Sequence, residues 1–258
     1  MERNARGNEM ITIAIANQKG GVGKTTTAVT LATGLARTGH HTLLVDTDAQ
    51  GQVAVYLGLD EGDGLFDLLI AGKPLCDCIV YSQGTLAILR SSTNTTVAKT
   101  VLNAQRAPVD ILTRALRPAR LLADFCIIDT APSVDPLSLA TLYAADFVLV
   151  PLLCETLSLD GLIGITDTIA DLRHTHRANT RLLGVLPTKY RKSTLEHYAN
   201  LSALIQGYGP RVYPPIPLAT AIAESTSYQL PLWDYAPAHP ATKAYATVLA
   251  RLLEDVKT

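Results

Sequence analysis

The chain has 258 residues, 48 % of them hydrophobic and 17 % charged, which supplies apolar material for a sizeable core and excludes bulk disorder. Twenty-two Lys and Arg against 23 Asp and Glu leave a net charge of −1, so no basic coat covers the whole surface. Four scattered cysteines exclude a disulfide scaffold, no apolar run reaches the ~18 residues of a membrane span, and the opening MERNARGNEM has no apolar signal region.

Residues 1–9 read as a flexible polar tail and 10–258 as one domain. The first element is a buried strand over 11–16, ITIAIA, rich in β-branched residues. It runs straight into QKGGVGKTT at 18–26. Gly20, Gly21 and Gly23 let the backbone turn tightly and aim several N–H groups, with that of Val22, at one anion. A helix over 25–38 begins at once, with Val29, Ala32, Leu35 and Ala36 on one face and Gly39 as its stop. Its N-terminus adds partial positive charge, Lys24 a full one, and the Thr25 hydroxyl is placed to ligate Mg²⁺. The common phosphate-loop pattern has glycine where this chain has Gln18, and a second lysine, Lys19, stands at the loop's start. A dinucleotide fingerprint fits worse, because it needs glycine or alanine at Thr26.

The strand over 42–46 ends in Asp46-Thr47-Asp48-Ala49-Gln50, two carboxylates and an amide beyond a strand end. A third strand is expected at 86–89, a helix over 94–122, and a strand at 125–129, FCIID, whose Asp129 precedes Thr130-Ala131-Pro132-Ser133. An aspartate there can hold a Mg²⁺ shell in a phosphate-loop protein, and standing alone can equally cap a turn. Then follow a helix at 137–144, a strand at 147–151, a helix at 158–174, a strand at 182–186, and helices at 194–205 and 241–256. Strands apolar on both faces, separated by helices, predict an α/β fold with a mostly parallel sheet covered on both sides by helices; with the loop at 18–26 the chain reads as a single P-loop NTPase domain.

Charge is unevenly spread. Residues 78–123 carry six Lys or Arg against Asp110 alone, and 172–195 carry six against no acid: Arg173, Arg177, Arg181, Lys189, Arg191 and Lys192. Ordinary solvated helix faces or a basic face on a near-neutral protein both follow from that pattern.

KGGVGKTT with its leading Lys19, VDTDAQG at 45–51 and IIDTAPS at 127–133 together resemble the ParA/MinD family of deviant Walker-A ATPases, and within it the Soj-like ParA partition ATPases. The likeness continues through VPLLCE at 150–155, GVLPT at 184–188, Ile216-Pro217 and AES at 223–225. It implies ATP and Mg²⁺ as cofactors and a homodimer that forms face to face on ATP binding. Lys19 would then reach the partner's nucleotide, Lys24 the phosphates, and Asp48 the attacking water, with Thr25, Asp48 and Asp129 around the metal. Thr188 and Pro217 would line the adenine pocket. The same likeness implies a cytoplasmic, nucleoid-associated protein that holds double-stranded DNA without sequence preference in its ATP state, through Arg173, Arg177, Lys189, Arg191 and Lys192. A ParB-like or other adaptor would trigger hydrolysis and release. Two departures stand out: Leu218-Ala219 replaces the family's frequent Arg-Asn after Ile-Pro, and Arg191 replaces a common acid.

The same motor can carry a protein cargo, a carboxysome or chemoreceptor cluster, in place of plasmid or chromosomal DNA. A MinD-like membrane ATPase would end in a basic amphipathic helix, whereas RLLEDVKT here holds two acids, so no membrane partner is expected. An iron–sulfur carrier would need paired cysteines, and Cys76-x-Cys78, Cys126 and Cys154 read as core or incidental thiols. No helix-turn-helix segment precedes Met10, so site-specific operator binding is not expected.

Overall fold

The computed structural model describes residues 10–82, 84–154 and 159–257, and the expected tail at 1–9 lies outside them. Among the described residues, seven strands form one sheet: β1 (Ile11–Ile15), β2 (Thr42–Asp46), β3 (Ile79–Tyr81), β4 (Leu86–Leu89), β5 (Phe125–Asp129), β6 (Phe147–Leu153) and β7 (Arg181–Thr188). Their spatial order is β3-β4-β2-β5-β1-β6-β7, parallel throughout except for β3.

Alternation along each strand feeds a core on either side. Ile13, Ile15, Leu44 and Ile127 face a layer built on α1 (Lys24–Arg37) and α12 (Pro240–Asp255), which contributes Tyr245, Val248, Leu249 and Leu252. Leu43, Val45, Cys126 and Ile128 face the opposite layer, where α5 (Asn94–Ala104), α6 (Ile111–Ala115) and α7 (Pro136–Ala144) pack. Further along that layer α8 (Asp160–His176) and α9 (Leu195–Tyr208) cover Ala14, Val148, Val150 and Val185. Gly34 lets α1 and α12 approach closely, since a Cβ there would sit 2.9 Å from both Leu249 and Trp233. Three short helices precede β3, α2 (Gln52–Leu57), α3 (Leu65–Leu69) and α4 (Leu75–Cys78), and two precede α12, α10 (Thr220–Ser227) and α11 (Leu232–Tyr235).

The sequence predicts one helix over 94–122, and the structure breaks it into α5, α6 and a 3₁₀ turn at Arg117–Leu121. Pro108 and Pro118 explain the breaks, because each removes an N–H and clashes with the preceding turn. The first two residues of the helix expected at 158–174 straddle the limit of the described residues; the described helix runs Asp160–His176. All parallel strands end on the same side of the sheet, so the loops after β1, β2, β5, β6 and β7 converge there.

Candidate nucleotide site

The loop between β1 and α1 is held from below and open above. Gly21 (φ 71°) and Gly23 (φ 86°) adopt the left-handed conformation that side chains resist, and Gly23 caps α1. A Cβ on Gly20 or Gly21 would meet nothing within 4 Å, so bare backbone lines a concavity there. Val22 is fully buried and its carbonyl lies 3.0 Å from the Thr188 hydroxyl, which pins the loop to the end of β7. Lys24 is buried and donates from Nζ to the Lys19 carbonyl at 3.0 Å. Burial pushes the Lys24 ammonium below its ordinary pKa, against the pull of Asp129 and Asp48. Asn17, itself buried, accepts from the Lys19 N–H at 2.8 Å and donates to the Pro151 carbonyl at 2.7 Å. Among the described residues the Lys19 ammonium makes no hydrogen bond or ion pair, while its backbone is fixed on both sides.

Two carboxylates meet beside the loop because β2 and β5 are neighbours in register, with Asp46 opposite Asp129. Both are fully buried. Asp46 Oδ1 accepts from the Asp48 N–H at 2.9 Å and Oδ2 from the Val53 N–H at 3.2 Å. Burial nevertheless pushes its pKa up to about 7, only partly offset by those amides and Ser91. Asp129 accepts from Thr25 Oγ1 at 2.6 Å through Oδ2, and its Oδ1 is buried with no hydrogen-bond partner among the described residues. Burial, then the charge of Asp46, raises the Asp129 pKa well above the carboxylate range against the pull of Thr25 and Lys24. An orphaned carboxylate oxygen beside a threonine hydroxyl and an amide-lined concavity fits a hard divalent cation. Among the described residues no cluster of three or more His, Cys, Asp or Glu could hold a metal, so such a cation would draw most ligands from phosphate and water. Asp48 stands half-buried after β2, its Oδ1 accepting from the Gln50 N–H at 3.1 Å while its carbonyl accepts from the Ser91 hydroxyl.

Next to the loop a cavity of about 350 Å³ opens between Val22, Gly23, Thr26 and Thr188 on one side and Ile216, Pro217 and Leu218 on the other. Thr188 shares its single hydroxyl proton between the Val22 and Leu152 carbonyls, so it offers the cavity its methyl group. The volume lies in the range of small-ligand sites, and the wall is mostly apolar, as a flat aromatic base requires.

Comparisons with known proteins place the chain in a family. The family model of the AAA domain matches residues 10–182. The chain is 37 % identical over 245 residues to the chromosome-partitioning ATPase Soj of Thermus thermophilus, covering 95 % of this chain and 94 % of that one. It is 32 % identical over 236 residues to the chromosome partitioning protein ParA of Caulobacter vibrioides, 88 % of each chain. The chain belongs to the ParA/Soj family of P-loop ATPases. Among solved structures, cobyrinic acid a,c-diamide synthase from Mycobacterium smegmatis with bound ADP and magnesium superposes with a TM-score of 0.83 at 30 % identity, over 96 % of each chain. Apo McdA from Cyanothece shares the fold, with a TM-score of 0.85 at 23 % identity over 95 % of this chain and 99 % of that one.

The basic residues expected to bind DNA do not form one cluster. Arg173 and Arg177 are exposed at the C-terminal end of α8, beside the start of β7. Lys189, Arg191 and Lys192 are exposed just past the end of β7, and Lys189 lines the same cavity as Thr188. The eight residues of β7 separate the groups by about 25 Å at ordinary strand rise. Of the five, Arg173 and Arg177 lie at one end of β7, and Lys189, Arg191 and Lys192 at the other, the P-loop end. There His197, buried in α9, accepts the Arg191 N–H at 3.0 Å through Nδ1 and fixes the turn.

Sequence reasoning missed the roles of Asn17, of Ser91, and of Ile222, Ala223, Thr226 and Tyr245 on the cavity wall. Tyr245 lies on the apolar stripe of α12, and its hydroxyl, 3.1 Å from Thr27 Oγ1, is what brings it to the site.

Proposed function

We propose that this ParA/Soj-family ATPase dimerises on binding ATP, holds duplex DNA without sequence preference in that state, and is released when a partner protein stimulates hydrolysis, so segregating plasmid or chromosomal DNA. The observation that carries the reading is Lys19: its backbone is clamped by Asn17 and Lys24 while its ammonium has no partner among the described residues. A cation held at the loop mouth but unused within its own subunit suits the phosphates of a second subunit's nucleotide. Lys24 and the amides of residues 20–26 would neutralise phosphate charge, Thr25 and Asp129 would hold the Mg²⁺ shell with Asp48 beside it, and Asp48 would orient the attacking water. When bound, the metal supplies Lewis-acid stabilisation of the charge that develops on the phosphate oxygens. Thr188 and Pro217 would face the adenine. At the same end Lys189, Arg191 and Lys192 supply positive charge that dimerisation would double, making DNA retention ATP-dependent and salt-sensitive. Arg173 and Arg177, at the opposite end, would lie outside that face.

The fold shared with McdA keeps a protein cargo as the second reading. A MinD-like membrane role is disfavoured, because α12 spends Tyr245, Val248, Leu249 and Leu252 on the core and leaves little apolar face for lipid. Size-exclusion chromatography with light scattering tests the reading directly. The wild type with ADP is expected as a monomer, and Asp48→Ala with ATP as a stable dimer that retains duplex DNA. Lys19→Ala is expected to bind ATP and stay monomeric. Equal DNA retention with ADP and with a non-hydrolysable ATP analogue, or an ATP-bound dimer of Lys19→Ala, would overturn it.

A further inference from the structure

At the end of the sheet away from the P-loop, a second cavity of about 570 Å³ is bounded by α8, the starts of β6 and β7, and the 3₁₀ turn Gly209–Arg211. Its apolar lining is Phe147, Ile169, Leu182, Leu183 and Pro210, and its rim carries Arg173, Arg181 and Arg211. All three arginines are exposed, and among the described residues their guanidinium groups have no hydrogen bond or ion pair. The lining also holds one carboxylate, Asp255, but Tyr213 donates to it at 2.7 Å and Arg251 Nε lies 3.4 Å away. Arg251 in turn is fixed by donating to the Val212 carbonyl at 2.7 Å and to that of Pro210. Three uncommitted planar cations over an apolar depression form a site with a preferred ligand, since guanidinium pairs bidentately with carboxylate.

We infer that this cavity docks an acidic protein segment: a bulky apolar side chain enters between Ile169, Leu182 and Pro210, and flanking carboxylates pair with Arg173, Arg181 and Arg211. Duplex DNA would satisfy the arginines and leave the apolar lining without a partner, because its backbone presents phosphate and sugar. A small metabolite site would enclose its ligand, whereas this one has all its cations exposed along an open rim. The inference does not depend on the nucleotide reading, because the cavity and the P-loop lie at opposite ends of the sheet.

Fluorescence anisotropy of a labelled twelve-residue Asp/Glu peptide with one central leucine tests it on the full chain. The Arg173→Glu/Arg181→Glu/Arg211→Glu variant is expected to bind about tenfold more weakly or worse, and the corresponding triple lysine variant to keep part of the affinity. Replacing the central leucine by serine is expected to weaken binding to the wild type and to leave the triple glutamate variant unaffected. Arg191→Glu/Lys192→Glu is expected to leave peptide binding unchanged. The single Arg211→Gln, neutral and exposed, guards against a folding defect in the triple variant and should weaken binding in the same direction. Equal affinity for leucine and serine peptides would overturn the docking cavity. So would unchanged binding by the triple variant, or duplex DNA outcompeting the peptide with dependence on the same three arginines.

Discussion

Gly161→Ala puts one methyl group against the strut that holds the P-loop. A Cβ at Gly161 would lie 2.2 Å from Asn17 Oδ1, a separation no packed pair adopts. Asn17 cannot swing aside cheaply, because its amide is buried and tied to Pro151 and Lys19 at once. The substitution therefore either overpacks the first turn of α8, at about 1–3 kcal/mol, or breaks the Asn17 hydrogen bonds, at about 1 kcal/mol each. Alanine's better helix propensity returns about 0.5–1 kcal/mol. A net loss near 1 kcal/mol corresponds to a drop of about 2–4 °C in Tm for a chain of this length.

Two other helical glycines make the experiment discriminating. A Cβ on Gly207 in α9 meets nothing within 4 Å, so Gly207→Ala should raise Tm slightly. A Cβ on Gly164 meets only the Gln18 side chain, half-exposed and able to move, so Gly164→Ala should fall between them. Differential scanning calorimetry ranks the three, and ATP titration should show weaker binding for Gly161→Ala alone. Because the clash is with one side chain, Asn17→Ala should remove it, and the double variant should be less destabilised than the two singles added together. Gly161→Ala as stable as Gly207→Ala, or strictly additive with Asn17→Ala, would refute the strut.

Thr188→Val keeps the shape of the cavity wall but strips the donor shared by the Val22 and Leu152 carbonyls. It should cost about 1–2 kcal/mol and weaken ATP binding more than the stability loss alone accounts for, measured by calorimetric titration. Asp135 caps α7 by accepting from the Ser138 N–H at 2.8 Å and pairs with Lys99 at 3.0 Å. Burial opposes its charge, but Ser138, Ser133 and Lys99 together hold its pKa below the ordinary carboxylate value. A lowered folded-state pKa stabilises above the unfolded value and loses that contribution as pH falls through the folded one. Asp135→Ala should therefore lower Tm at neutral pH by the ~1 kcal/mol of a lost cap, and the gap to wild type should narrow below about pH 4. A gap independent of pH would show that the carboxylate charge contributes nothing.

What could be read from the chain was chemistry confined to neighbours in sequence. QKGGVGKTT brings its glycines, lysines and hydroxyls together within nine residues, and the two aspartates each end a strand, so their positions follow from the fold class alone. Asn17 is different: its partners are Pro151 and the turn at Gly161, adjacent only once β6 lies beside β1. The basic stretch at 172–195 shows the converse. Its residues are close in sequence, but β7 runs through the middle of it and carries Arg173 and Arg191 to opposite ends of the sheet. Strand β3 escaped notice because three residues set no period, and the run expected as one helix at 94–122 holds two prolines that a stricter reading of the chain could have used as breaks.

The pairing of Asp46 with Asp129 is what the proposed nucleotide reading has to account for. Adjacent parallel strands place the two carboxylates side by side, both fully buried, and burial drives each away from its charged form. Asp46 recovers some of that with two amides, which tie it to the Asp48 turn and to α2. Asp129 has only Thr25 through one oxygen and leaves the other bare. A fold selected for stability alone would set an apolar residue there, as it does at Ile127 and Ile128 on the same strand. The two aspartates thus perform unequal tasks from equivalent positions. Asp46 accepts an amide at each oxygen and locks the shape of the segment carrying Asp48, while Asp129 keeps one oxygen without a partner among the described residues, beside Thr25 in the first turn of α1. On the proposed reading, a cation and phosphate that satisfy that oxygen and the amides above it would stabilise the chain by the same interactions through which they bind.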